Sequence, residues 1–337
     1  MKKISIVVPC YNCSKTIKRL LDSVLAQNME KEDYEVIIVD DKSTDGFLDI
    51  VKTYEDRIDI VYAETTREVH CPGNTRQIAL PLIRGEWFTF IDNDDLFEPD
   101  VFKDVFKIIE DEKVEYVLST TFVQYNIEEG KVLRTFKSHF TTNTWHHGKF
   151  YNTQRVLNEL HIHFKDDLFS HEDLFFNLSL RAALSAMDKT FIYHPELQTY
   201  KWVKRADSLS NIYTGNLLYI EKYFKDYIYS ITAPYFSCIN EVNIDWIREQ
   251  LIVSMLMGYL YYQCGIFRAK DIYPKDNLLK MKEIKQEIHD KLGLTDQDII
   301  DYINRFPYLY DYYREDIYNA INPFVETQSF RDFIINL

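Results

Sequence analysis

At 337 residues, 46% hydrophobic and 15% aromatic, the chain is too apolar to stay disordered and long enough to bury a large core, as one elaborate domain or two. A formal net charge of -14 argues against a broad nucleic-acid or anionic-membrane surface and leaves room only for a local basic patch. The odd set Cys10, Cys13, Cys71, Cys238 and Cys264 fits reduced, intracellular thiols.

The opening MKKISIVVP enters a strand-like run at once, with no long apolar region or small-residue cleavage site, so no secretory leader is read in it. ISIVVP (4–9) reads as a strand. Cys10 and Cys13 then form a C-x-x-C without a second pair or histidines at zinc-ligand spacing, so two core-side thiols are expected. Ser14 can cap a helix over TIKRLLDSVLAQ, where Ile17, Leu20, Leu21, Val24 and Leu25 share a face. YEVIIVD (34–40) has the unbroken apolar run of a buried strand, KSTDG (42–46) is turn chemistry opening a helix, and RIDIVYA (57–63) is a third strand. A helix from about Asn74 should end near Pro81. EWFTFID (86–92) is the fourth strand, and Pro99 is placed to start a helix at its first position. A hairpin follows between 114 and 140, then helices over 152–160 and 171–186 and a strand at 190–194. Beyond about Ser210 the chain becomes tyrosine-rich and mostly helical. That change sets the expected division into a 1–210 domain and a 211–337 region. LIVSMLMGYLYY (251–262) is too short to span a bilayer and follows Arg248, Glu249 and Gln250, so a buried or interface helix is expected there.

Strand–helix alternation with nearly continuous apolar strands predicts an α/β fold whose mainly parallel sheet is flanked by helices. Ligands then bind beyond the carboxyl ends of the strands, where Tyr11, Asn12, Asp40, Asp41 and Asp92 to Asp95 fall. Neither G-x-G-x-x-G after the first strand nor G-x-x-x-x-G-K-[ST] is present. In IDNDD, alternation sends Asp92 and Asp94 the same way where strand geometry persists. Two oxygen donors so placed suit Mg2+ or Mn2+, while a solvated acidic turn before the next helix fits the same residues.

Taken together, VVPCYN, VDDKSTDG, the run from GNTRQIAL through Trp87 to IDNDD, and FSHEDLFF resemble glycosyltransferase family 2 over about residues 1–211. That resemblance implies an inverting enzyme of the A-type, Rossmann-like glycosyltransferase fold, similar to those building bacterial capsules and wall teichoic acids. It implies that Pro9, Tyr11 and Asn12 lie against base and ribose, that Asp40 binds the base, and that Arg76 reaches base or diphosphate. Gln77 departs from the family's pattern beside it. Asp94 would be the main ligand of a Mn2+ or Mg2+ ion, with Asp92 on the ribose or the metal's water and Asp95 supporting the loop. Asp173, paired with Glu172, would be the catalytic base, with His171 a rival of more neutral pKa. KWVKRADSLSN (201–211) resembles the family's closing loop, which assigns Arg205 and Ser208 or Ser210 to the diphosphate, with Lys201 and Lys204 in reach. His194 is a candidate further metal ligand, and Trp145 is either a sugar-stacking ring or a core residue.

The expected reaction moves a sugar from a nucleoside diphosphate donor, a UDP-sugar by preference, to a carbohydrate or polyol-polymer acceptor, lipid-linked in one reading. The expected site is the cytoplasm, at most peripheral at the inner membrane face. Region 211–337 is read as acceptor binding, packing or homo-oligomerisation, and nucleic acid is a poor acceptor for so acidic a chain. The rival classes are a sugar nucleotidyltransferase, which lacks its glycine-rich basic loop here, a glycosidase, and a non-catalytic nucleotide-sugar-binding or scaffold protein.

Overall fold

The structure, a computed structural model, describes residues 2–66, 71–137, 145–165, 168–205 and scattered positions between 226 and 301. Residue contacts divide the chain into two compact units, Met1–Arg205 and Ala206–Leu337. Ser208, Ser210 and the run 251–262 lie outside the described residues, as does nearly all of 211–337. Among the described residues no helix is long and apolar enough to cross a membrane.

Four strands, β1 (Lys2–Cys10), β2 (Tyr34–Asp40), β3 (Ile60–Glu64) and β4 (Gly85–Phe90), pair in parallel in the order β3-β2-β1-β4. Their near-continuous apolar runs follow from having both faces covered. Ile4, Ile6 and Val8 pack with α1 (Ile17–Leu25), α2 (Phe47–Lys52) and α4 (Phe102–Asp111). Val7, Ile37, Val39, Phe88 and Phe90 face the other way, onto α3 (Pro72–Ala79) and α5 (Glu172–Ala186). Every second residue therefore serves a different layer.

Past β4 the sheet changes character. A short strand, β8 (Lys149–Asn152), runs antiparallel to both β4 and β6 (Val117–Asn126). Then β9 (Ile192–Val203) runs parallel to β6, and β5 (Leu96–Phe97) pairs antiparallel with β9. The expected hairpin is present as β6 with β7 (Lys131–Phe136).

Three local expectations need correction. The fourth helix starts at Phe102 rather than Pro99, because Asp100 takes a left-handed φ of 61°. Its N-terminus is capped from a distance: Gln27 Oε1 accepts the Val101 and Phe102 N–H groups at 3.1 and 3.2 Å. Ser14 does not cap α1, since its N–H donates to Asp45 at 2.7 Å while the Cys13 carbonyl accepts from Thr16 and Ile17 at 2.9 Å. The last strand does not stop at His194. The register slips between Thr120 and Phe122, so that residues 195–197 bulge out and pairing resumes at Gln198. Proline is admitted at such a bulge, where its missing N–H breaks no ladder bond.

Candidate active site

Chain ends at the carboxyl edge of the sheet form the site. At the end of β1, Asn12 adopts a φ of 47°, a left-handed conformation asparagine tolerates better than most residues. It ties this loop to the next: its N–H donates to Ser43 Oγ at 2.8 Å and its Oδ1 accepts from Thr44 N–H at 2.9 Å. Tyr11 beside it is half exposed, and the Pro9 carbonyl accepts from Asn93 Nδ2 at 3.0 Å. Asp40 ends β2 with its carboxylate buried, accepting from Ser43 N–H at 2.9 Å and Tyr62 Oη at 3.1 Å.

The IDNDD turn splits its carboxylates among separate tasks. Asp95 is buried and braced by β9: its Oδ1 accepts from Val203 N–H at 2.7 Å and its Oδ2 from Tyr200 Oη at 2.5 Å. Asp94 faces Arg205, whose Nη1 is 3.1 Å away, and its backbone carbonyl accepts from Arg19 Nη2 at 2.7 Å. Burial, with Asp95 and Asp92 close by, pushes the Asp94 carboxyl up to about 7 against the pull of Arg205. Asp92 accepts from Arg76 Nη2 at 2.5 Å.

Arg76 joins the two acidic motifs. Its guanidinium, on buried α3, reaches Asp92 with one nitrogen and Glu172, at the start of α5, with the other. Burial opposes its charge, but Asp92, Glu172 and Asp173 outweigh that and hold it above its ordinary value. The bridge requires α3 and α5 to lie very close, which Gly73 permits: a Cβ there would sit 2.8 Å from Glu172 Cβ. Asp173 follows Glu172 in the first helical turn, accepting from Leu174 N–H at 2.7 Å. Burial raises its carboxyl to about 7, with Glu172 adding and Arg76 opposing. His171 precedes the helix at a φ of 60° beside Ser170 Oγ (3.0 Å), and burial holds its imidazole down at about 3, hence neutral.

The residues fit a hard divalent cation. Asp92, Asp95 and His147 each offer a donor atom within 4.8 Å of the others, yet both Asp95 oxygens already accept hydrogen bonds, which marks it as a brace. Asp92, paired with Arg76, is the other carboxylate of this group, while Asp94, the ligand expected from the sequence, pairs with Arg205 and is not one of the three. His147 stands beside Asp92 and Asp95, its Nε2 3.7 Å from Asp95 and its buried Nδ1 without a hydrogen-bond partner among the described residues. Burial lowers its pKa to about 4, giving the neutral imidazole that can ligate metal.

Not every candidate converges. His194 pairs with Glu112 at 2.6 Å and does not join the group formed by Asp92, Asp95 and His147. It is therefore no ligand of this group. Lys201 belongs to β9 and pairs with Glu98 at 2.6 Å rather than facing the site. His147, Tyr200 and Arg19 enter the site without a sequence motif to announce them.

A sheet of this order, ending in an acidic turn opposite an Arg-bridged helix start, defines an A-type glycosyltransferase fold. The S. aureus TarS 1-349 structure in complex with UDP-GlcNAc superimposes with a TM-score of 0.70 at 21% identity, covering 94% of this chain and 89% of that one. Residues 5–170 match the model of Glycosyl transferase family 2, in agreement with the resemblance carried by the sequence motifs. The Staphylococcus aureus poly(ribitol-phosphate) beta-N-acetylglucosaminyltransferase TarS is 29% identical over 222 residues, 64% of this chain and 38% of its own length. The poly(ribitol-phosphate) beta-glucosyltransferase of Bacillus spizizenii is 47% identical over 94 residues, 28% of this chain. The matched segments span 15% of the Bacillus relative and 38% of TarS.

Proposed function

We propose that the chain transfers a sugar from a UDP-sugar to a hydroxyl of a wall polymer or related surface polysaccharide, with inversion at the anomeric carbon. The observation that carries this reading is the Arg76 bridge, which joins the carboxylate of the IDNDD turn to the acidic start of α5. The relatives' poly(ribitol-phosphate) names support a polyol-phosphate acceptor.

In this reading Pro9, Tyr11, Asn12 and Asp40 line the nucleotide end, and Arg205 faces the diphosphate. Mn2+ or Mg2+ would be held by Asp94 with Asp92, and when bound supplies positive charge to the departing UDP. Arg205 adds fixed positive charge beside the same phosphates. Asp173 is the general base: desolvation holds its carboxyl near neutrality, which suits accepting a proton from the acceptor hydroxyl as it attacks. Glu172 is occupied by Arg76 and orients the turn. One displacement from the face opposite UDP needs no covalent sugar–enzyme intermediate. Nucleotide sugars are made in the cytoplasm, and the chain is assigned there.

The direct test is UDP release from a panel of nucleotide sugars with Mn2+, with and without poly(ribitol phosphate). Acceptor-dependent release, lost in Asp173→Asn with UDP binding intact, is expected. Acceptor-dependent release that survives in Asp173→Asn refutes the base assignment, and none from any donor refutes the activity.

A further inference from the structure

Behind α5 runs a directional hydrogen-bond chain that the proposed reaction does not use. Asn177, one turn after Asp173, donates its Nδ2 to the Asp173 backbone carbonyl at 2.9 Å. A carbonyl only accepts, so the amide nitrogen is fixed there and Oδ1 faces Tyr151 Oη, 2.9 Å away. That oxygen also only accepts, so the phenol must donate to it. The phenol's lone pair is then left for His146 Nδ1, again 2.9 Å away, which must carry the ring proton.

The chain is shut off from water. Tyr151 and Asn177 are 0% exposed and His146 5%. The imidazole is enclosed by Phe90, Phe164 and Phe176, with ring centroids 4.4, 5.4 and 5.3 Å away. Burial keeps it neutral, far below the ordinary histidine value, and Arg76 and Lys149 reinforce this. In so dry a setting each bond is stronger than in water, and each broken one leaves a buried polar group unsatisfied.

We propose that His146, Tyr151 and Asn177 are positioning residues, linking β8 and the segment before it to the first turn of α5 and fixing the angle at which that turn presents Asp173. This rests on Asp173 being the base. Around that carboxyl stand Glu172 on α5, Arg76 on α3, and His147, Lys149 and Tyr151 from β8 and its approach. The chain holds its backbone carbonyl from behind.

Tyr151→Phe removes one oxygen and keeps a ring to stack on Phe88, 5.1 Å away. Expected are a kcat lowered about tenfold to a hundredfold, an unchanged donor KM, and a kcat–pH midpoint moved to the acid side as water reaches the turn. Asn177→Leu should do the same. A lower melting temperature with kcat and midpoint unchanged would overturn the proposal. Nitrogen-15 NMR of the wild-type protein needs no variant: a neutral Nδ1–H tautomer of His146 from pH 5 to 8 is expected. An Nε2–H tautomer, with the second Asn177 Nδ2 proton bonded to Nδ1 across 3.4 Å, or a titrating ring, would break the chain. Full transfer by Asp173→Asn would remove the base reading and the proposal together. Normal kcat in Tyr151→Phe beside an inactive Asp173→Asn would overturn the proposal alone.

Discussion

Replacing Asp173 by asparagine should stabilise the folded protein at alkaline pH while stopping sugar transfer. Burial lifts the native carboxyl from 3.8 to about 7, Glu172 adding to the lift and Arg76 opposing it. The folded state thus holds this proton more tightly than the unfolded chain does. The contribution to stability is full below about pH 4 and is lost as pH rises through the window up to about 7. At about 1.4 kcal/mol per unit, the ceiling above pH 7 is on the order of 4 kcal/mol. The Asp173 side chain is only partly buried, so solvent screening brings the expectation to about 1–3 kcal/mol, a few °C in Tm. Asparagine carries no charge, and its Oδ1 can still accept from Leu174 N–H. Thermal melts of both proteins at pH 8.5 and 5.5 should show the gain shrinking by about half at the lower pH, with UDP affinity unchanged and transfer down about 10²- to 10⁴-fold. A gain that is absent at pH 8.5, or independent of pH, would refute the reasoning, as would transfer within tenfold of normal.

Asp94→Ala should abolish the Mn2+ dependence of UDP binding in calorimetry; unchanged metal-dependent affinity would remove Asp94 from the cation. Gly73→Ala places a Cβ 2.8 Å from Glu172 Cβ, and parting α3 from α5 should destabilise by about 1–3 kcal/mol and depress transfer through the strained Arg76 bridge. A melt and an activity equal to wild type would show that the close approach is not needed. Gln27→Ala removes the remote cap of α4 and should destabilise by about 1–2 kcal/mol with kinetic constants unchanged, which denaturant titration and steady-state kinetics together can check.

The first half of the fold was legible because its signals are local. Unbroken apolar runs set β1, β2 and β4, and their carboxyl ends named the face on which Asp40 and Asp92 appear. Elements formed by distant pairing were hidden. Leu96–Phe97 is a strand only because β9 lies beside it, and Lys149–Asn152 is too short to show a period. The α4 cap comes from Gln27, roughly 75 residues upstream of the N–H groups it accepts, so Pro99 misleads there. Within the site, Asp94, Arg76, Glu172 and Asp173 were all visible as motif positions. Their coupling through one guanidinium was not, nor was the bracing of Asp95 by Tyr200, because both depend on how close two layers approach. The pairing of His194 with Glu112, 82 residues earlier, was hidden for the same reason.

The bulge at 195–197 separates two registers on one strand. Before it, β9 is indexed to the start of β6; after it, Tyr200 and Val203 are indexed to Asp95 and so to Arg205. Length changes upstream of Pro195 can be absorbed where the chain is already unpaired. One residue added between Tyr200 and Val203 would turn one of these two Asp95 contacts to the opposite face of the sheet and carry it about 3.3 Å along. The molecule thus has a stretch in which descendants can lengthen or shorten the chain freely, set immediately beside one in which a single codon gained or lost disarms the site.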